Sequence, residues 1–390
     1  MSYSIPIART SLTEEEINSV LEPLRSGWLV QGPKVKEFED RWNSFTGASH
    51  SLAVTSCTAG MGLALAALDL KPGDEVILPA FTWISTANVI EHFGARPIFC
   101  DNDLATFNID VKLIEGLISD KTVGILPVHL FGLSADMEPI LNIAKKYGLW
   151  VLEDAACGFG AKYKGSHVGT FGDAGVFSFH PRKAITTGEG GMITSSNEGL
   201  ITKIQQLRDH GAVMSDLQRH LGAKPYLLAD HIYAGFNQRM TDVQGALGAK
   251  QMERASEIID QRRSIADRYN KELAKVKWLR PPAILEDYEH GYQSYPCLLL
   301  PELMSIENVK NINAARNEWM DELQTKGIST RPATHAVHML TYYREKYCLK
   351  PEDFPNAYLA NDCSISMPLF HGMTNEEQDY IIETVTNKNF

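Results

Sequence analysis

The chain has 390 residues, 44% hydrophobic and 22% charged, ordinary proportions for a globular protein able to bury a large core. Its net charge of −11 argues against a nucleic-acid binder, which needs a basic face, but leaves room for a small anion held by local Arg, Lys or helix termini. No apolar run reaches the roughly 18 residues of a membrane helix, and Met1-Ser-Tyr-Ser-Ile5 lacks the basic and apolar regions of a signal peptide. The six cysteines (57, 100, 157, 297, 348 and 363) are scattered with no Cys-x-x-Cys pair, the pattern of reduced thiols rather than of a disulfide framework or zinc site. A cytoplasmic protein is expected.

In chain order, Ser11-Leu-Thr-Glu14 reads as a capping box, followed by Ile17, Val20, Leu21 and Leu24 at helical spacing up to Gly27. Strand and helix patterns then alternate. Leu52–Thr55, Glu75–Pro79, Arg96–Cys100, Val123–His129 and Leu149–Glu153 read as strands; Thr58–Leu70, Thr82–Phe93 and Asp136–Tyr147 read as helices. That alternation predicts an α/β fold with a mostly parallel sheet covered on both faces, mixed where Ala174–Phe179 and Gly191–Thr194 come close together. A long helical stretch follows residue 241 and runs to about Val276. Beyond it come a strand at Tyr292–Leu300, a helix ending near Lys326, a strand at Ile328–Pro332 and a last helix at Thr374–Thr386 behind the capping box Thr374-Asn-Glu-Glu377. Residues 1–250 are expected to form a large α/β domain, and 251–390 a linking helix with a smaller α+β domain.

Three segments carry chemistry. Val176-Phe-Ser-Phe-His-Pro-Arg-Lys-Ala-Ile-Thr-Thr-Gly-Glu-Gly-Gly191 places Lys183 four residues beyond a strand end, where open α/β sheets gather reactive groups. A partly desolvated lysine there suits attack on a carbonyl to form an imine; alone, it is equally a solvated loop lysine. Val151-Leu-Glu-Asp-Ala-Ala156 ends a buried-looking strand in two acids, and an aspartate there can keep a buried cationic nitrogen protonated, or simply cap a helix. Thr55-Ser-Cys-Thr-Ala-Gly60 joins a strand to a helix whose open N–H groups suit a phosphate, although it has neither the lysine of a P-loop nor the spacing of a dinucleotide fingerprint.

Taken together, these segments resemble the DegT–DnrJ–StrS group of sugar aminotransferases among the fold-type I pyridoxal phosphate (PLP) enzymes. The likeness extends over nearly the whole chain, through Ser26-Gly-Trp-Leu-Val-Gln-Gly-Pro33, Phe81-Thr-Trp83, Glu153-Asp-Ala-Ala156, the Lys183 segment, Phe236-Asn-Gln-Arg-Met-Thr-Asp242 and Ser366-Met-Pro-Leu369. The resemblance implies that Lys183 forms the Schiff base with PLP and later shuttles protons, and that Asp154 pairs with the pyridine nitrogen. It implies that Trp83 stacks on the ring, that Thr58, Ala59 and Ser178 cradle the phosphate, and that Asn237 reaches the phosphate of a neighbouring subunit, making the active unit a homodimer with shared sites. Cys157 stands where relatives carry Gln, His or Glu near the cofactor's phenolic oxygen, and a thiol is a weak substitute.

The implied reaction takes an amino group from L-glutamate, leaving 2-oxoglutarate and pyridoxamine phosphate (PMP), and passes it to a keto sugar on a nucleotide. His180 and Glu189 follow the pattern of relatives acting at C4 of the sugar rather than C3. His180, Arg331, His335 and His338 are candidates to touch the substrate, although Arg331 equally suits an ion pair and the histidines a helix cap. The sugar dehydratases of the same fold carry histidine in place of the lysine, which Lys183 speaks against. A PLP-binding regulatory protein without turnover remains as the reading from another class. Nothing after a strand reads Gly-x-Gly-x-x-Gly, so a nicotinamide dehydrogenase is not indicated.

Overall fold

Short apolar strands that alternate with helices are buried on both faces, and seven of them make the central sheet of the computed structural model, which describes residues 4–222, 224 and 226–390. These are β1 (His50–Val54), β2 (Glu75–Pro79), β3 (Arg96–Cys100), β4 (Thr122–Ile125), β5 (Trp150–Asp154), β6 (Ala174–Ser178) and β7 (Gly191–Ser195), in the spatial order β1-β7-β6-β5-β4-β2-β3. From β3 across to β6 the strands run parallel. β7 lies antiparallel between β6 and β1, so the sheet is mixed where the sequence places two strands close together.

A second, antiparallel sheet holds β8 (Leu279–Arg280), β9 (Tyr295–Leu299) and β10 (Ser364–Met367), with β9 in the middle. Helix Ala255–Leu273 lies between the two sheets in sequence and buries Ile258, Ile259, Ile265, Tyr269 and Leu273. One apolar cluster runs from Leu52, Leu152 and Val176 of the first sheet to Tyr269, Leu298 and Ile365 around the second. No helix among the described residues is long and apolar enough to cross a membrane.

Three local readings change. The first capping box is Thr13 with Glu16, two residues beyond the expected one, and the helical run breaks at Val20 before Gly27, at φ 77°, ends it. The long stretch after 241 is two helices, Asp242–Met252 and Ala255–Leu273. The break falls at Arg254, whose guanidinium is drawn to Glu16 (2.6 and 3.0 Å) and to the Ser11 carbonyl (2.8 Å). Arg254 itself stands at φ −116° and ψ 23°, outside the helical region. Residues 328–332 make only single bridges, Ile328 to Ile5 and Arg331 to Ser366, and Pro332 withholds the N–H a longer ladder needs.

Candidate active site

The site forms at the carboxyl ends of β5 and β6. Strand alternation sends the two acids that end β5 to opposite faces. Asp154, 3% exposed, accepts the Thr86 hydroxyl at 2.7 Å on Oδ2 and the Ala156 N–H at 3.0 Å on Oδ1. Both donors are neutral, so these contacts bring the buried anion no cation. Glu153, fully buried on the other face, accepts the N–H groups of Gly169 (2.6 Å), Phe171 (2.7 Å) and Gly172 (2.8 Å) and pairs with His129 Nε2 at 2.9 Å. The Ala135 N–H donates to His129 Nδ1, so Nε2 carries the ring proton and donates to Glu153. This acid ties the loop before β6 to the end of β5.

On β6 the same alternation turns Phe177 inward, where it meets Trp42 at 4.8 Å, while Ser178 points the other way, half-buried. Phe179 again packs on Phe38 and Trp42, so aromatic burial pins the chain just before it turns. The turn closes with the Lys183 N–H on the His180 carbonyl (2.8 Å) and the Arg182 N–H on His180 Nδ1 (3.2 Å). Burial and the neighbouring Arg182 charge hold the His180 ring below the usual histidine range, which suits a neutral ring accepting at Nδ1. Lys183 Nζ, partly buried, donates to Cys157 Sγ at 3.1 Å.

Helix Cys57–Ala67 starts beside this cleft, capped by Ser56, whose Oγ accepts the Ala59 N–H at 3.1 Å. Gly191, paired with Ser178, lets the helix start approach, because a Cβ there would lie 2.7 Å from the Cys57 nitrogen. The buried Cys57 thiol is pushed well above its ordinary range, by burial first and then by the Asp154 charge, with Lys183 acting the opposite way. Asp154, Lys183, Cys157 and the start of the helix therefore lie close together, with Ser178 paired to Gly191 beside them. Thr58 is exposed at its edge and Ala59 half-buried.

The other candidates divide. Trp83 is 55% exposed and lies 5.6 Å, ring to ring, from His335, which pairs with Thr82 across a short two-stranded ribbon. Arg331 is exposed. Asn237 is exposed at the β1 edge, next to Gln238, which takes the Thr55 hydroxyl at 2.6 Å. His338 corrects the expectation of a substrate contact: it is fully buried against Phe354, and burial pushes its ring down to about 4. The sequence reading passes over Thr86, His129, the clasp made by Glu153, and two glutamines on the lysine loop, Gln251 and Gln293. Thr86 is 68 residues from Asp154 and Gln293 is 109 from Ala184, and no local pattern signals contacts of that range.

Residues 10–386 match the DegT/DnrJ/EryC1/StrS aminotransferase family. The spore coat polysaccharide biosynthesis protein SpsC of Bacillus subtilis (strain 168) is 38% identical over 387 residues, 99% of this chain and 96% of its own. The putative sugar aminotransferase Spr1654 from Streptococcus pneumoniae superposes in its PMP form with a TM-score of 0.89, at 31% identity and 98% coverage of both chains. Its PLP form gives 0.88, covering 98% of this chain and 97% of its own. Helicobacter pylori PseC, an aminotransferase of pseudoaminic acid biosynthesis, gives 0.88 at 25% identity and 98% of both chains. The residues here suit the same cofactor: a primary amine and a buried carboxylate with neutral donors alone are what an aldehyde on a cationic pyridine ring requires. The fold, the cleft and the match along nearly the whole chain agree, and the protein belongs to the DegT/DnrJ/EryC1/StrS family of PLP-dependent sugar aminotransferases.

Proposed function

We propose that this enzyme transfers the amino group of L-glutamate to C4 of a keto-deoxy sugar carried on UDP, GDP or dTDP, in the making of a cell-surface polysaccharide or glycoconjugate. The observation that carries the C4 assignment is the pair His180 and Glu189 in the lysine segment, the pattern of relatives that act at that carbon. The polysaccharide setting is supported by the name of SpsC.

When bound, PLP supplies an aldehyde for the amine and a ring that withdraws electrons from the carbon losing its proton. Lys183 Nζ would hold the cofactor at that aldehyde. Asp154, steadied by Thr86 and Ala156, would keep the ring nitrogen protonated. Trp83 would stack on the ring, and Thr58, Ala59 and Ser178 would hold the phosphate at the helix start. Lys183 Nζ, when not holding the cofactor, would serve to move the substrate proton, a positioned transfer typically worth about 10²–10⁴-fold. Cys157 would stand near the phenolic oxygen. His180, with Nδ1 engaged by Arg182, offers Nε2–H to the sugar, and Arg331 and His335 are outer substrate contacts.

In this reading residues 1–250 are the cofactor-binding domain and 251–390 a linking helix with a small domain, supported by the seven-stranded sheet being built wholly from strands before residue 250 and the β8–β9–β10 sheet wholly from strands after it. Asn237 serves the phosphate of the partner subunit in a homodimer. Support comes from apolar side chains left exposed in the preceding segment, with Leu221 75%, Tyr226 76% and Leu228 88% accessible. The test is incubation with glutamate and matched 3-keto and 4-keto nucleotide sugars, the new amine being located by NMR. Amination at C4 is expected; amination solely at C3, or none of any 4-keto sugar, refutes the reading.

A further inference from the structure

The loop that carries Lys183 is gripped from outside by one side chain on both flanks of that residue. Gln293 Nε2 donates to the Arg182 carbonyl at 2.7 Å, and Gln293 Oε1 accepts the Ala184 N–H at 3.2 Å. The amide thus behaves like a strand neighbour, bridging the peptide units just before and just after the lysine. A carboxamide alone among side chains of this size offers a donor and an acceptor side by side.

Gln293 is itself held firmly. It is 9% exposed and stands two residues before β9 of the second sheet. The buried Arg262 donates to the carbonyls of Tyr292 (2.9 Å) and Gln293 (2.8 Å). The Tyr292 N–H meets His290 Nδ1 at 2.8 Å, and Tyr292 adopts φ 45°. Gly132 packs so closely on this backbone that a Cβ would lie 2.7 Å from the Tyr292 nitrogen. The clamp is therefore anchored outside the first sheet, by Arg262 of helix Ala255–Leu273 and the chain leading into β9.

We propose that Gln293 is a positioning residue for Lys183: by fixing the peptides on both sides it sets the direction of the Cα–Cβ bond and so the place of Nζ. The proposal rests on the reading of Lys183 as the residue that takes the cofactor. Nζ stands roughly 6 Å from its Cα, so a rotation of about 10° at the backbone moves it by about 1 Å, a misplacement that costs ~10² in rate. Gln251, which grips Thr186 in the same two-pronged way (2.6 and 3.0 Å) but three residues farther along, is the internal comparison.

The experiment compares holoenzyme of the parent with Gln293→Leu, Gln293→Asn, Gln293→Glu and Gln251→Leu. Gln293→Leu is expected to lower kcat of the glutamate half-reaction by about 10- to 10²-fold with KM within about threefold, and to speed exchange of the Ala184 amide by a similar factor. Asn, which keeps donor and acceptor on a shorter stem, should recover part of the loss, and Gln251→Leu should lose less than Gln293→Leu. If the leucine variant does not fold, Gln293→Glu, which keeps the acceptor but sets an oxygen against the Arg182 carbonyl, must show the same fall in kcat. A parent that attaches no PLP to Lys183 overturns the underlying reading. A parent that does, with the leucine variant (or, if that fails to fold, the glutamate variant) within twofold of it in kcat and unchanged in exchange, overturns this proposal alone.

Discussion

Replacing Glu153 by glutamine tests how much the buried clasp behind Asp154 contributes. Glu153 accepts hydrogen bonds from Gly169, Phe171 and Gly172 and from His129, two donors on each oxygen. An amide turns one of those oxygens into a donor. If the NH₂ falls on the Phe171–Gly172 side, two backbone N–H groups lose their acceptor. If it falls on the other side, Gly169 and His129 do, and His129 cannot swap tautomers without breaking its bond from Ala135. Two buried donors are orphaned either way, at about 1–3 kcal/mol each, so the change costs roughly 2–6 kcal/mol. With an unfolding entropy near 2.1 cal/mol/K per residue, a chain this long gives roughly 0.8 kcal/mol/K, and the midpoint should fall by about 2–7 °C. Calorimetry checks the midpoint, and hydrogen exchange at residues 169, 171 and 172 checks that the loss is local. A midpoint within about 1 °C of the parent, with those amides still protected, would refute the reasoning.

Lys183→Ala should leave no cofactor fixed to the chain after borohydride reduction, whereas the parent gains one covalent adduct by mass at that residue; an adduct in the variant would remove Lys183 from its role. Sedimentation at assay concentration should show a dimer, with Asn237→Ala weakening PLP binding while leaving the dimer intact, and a fully active monomer would refute the shared site. The His167 ring, buried and accepting the Gly160 N–H at 3.0 Å, is pushed down to about 4, below the ordinary histidine value. The folded state therefore resists the proton that the unfolded chain takes up from pH 6.5 downward, and about 1.4 kcal/mol of stability is lost per pH unit until about pH 4. Thermal midpoints across that window should fall less steeply in His167→Phe, and parallel slopes would refute the assignment.

Local sequence by itself settled the alternating strands and helices, the mixed stretch of sheet and the capping box at Thr374. Periodicity, caps and glycine turns act over a few residues, so a few residues suffice to read them. The resemblance carried by Asp154, Lys183 and the 55–60 segment named a cofactor and a family without coordinates, because those motifs are short and their chemistry is demanding. Tertiary structure decided what those residues are fastened to. The helix that propensity would continue breaks at Arg254, whose contacts with Glu16 and Ser11 exist only in the folded chain. His338 went to the core while its neighbour His335 went to the lip beside Trp83, a division that the spacing of three residues does not disclose. Thr86 on Asp154, Glu153 on the loop at 169–172, and Gln293 astride Lys183 are bonds between elements far apart in sequence. Hydrogen bonding is directional and short-ranged, so such pairs exist only once packing has brought donor and acceptor together.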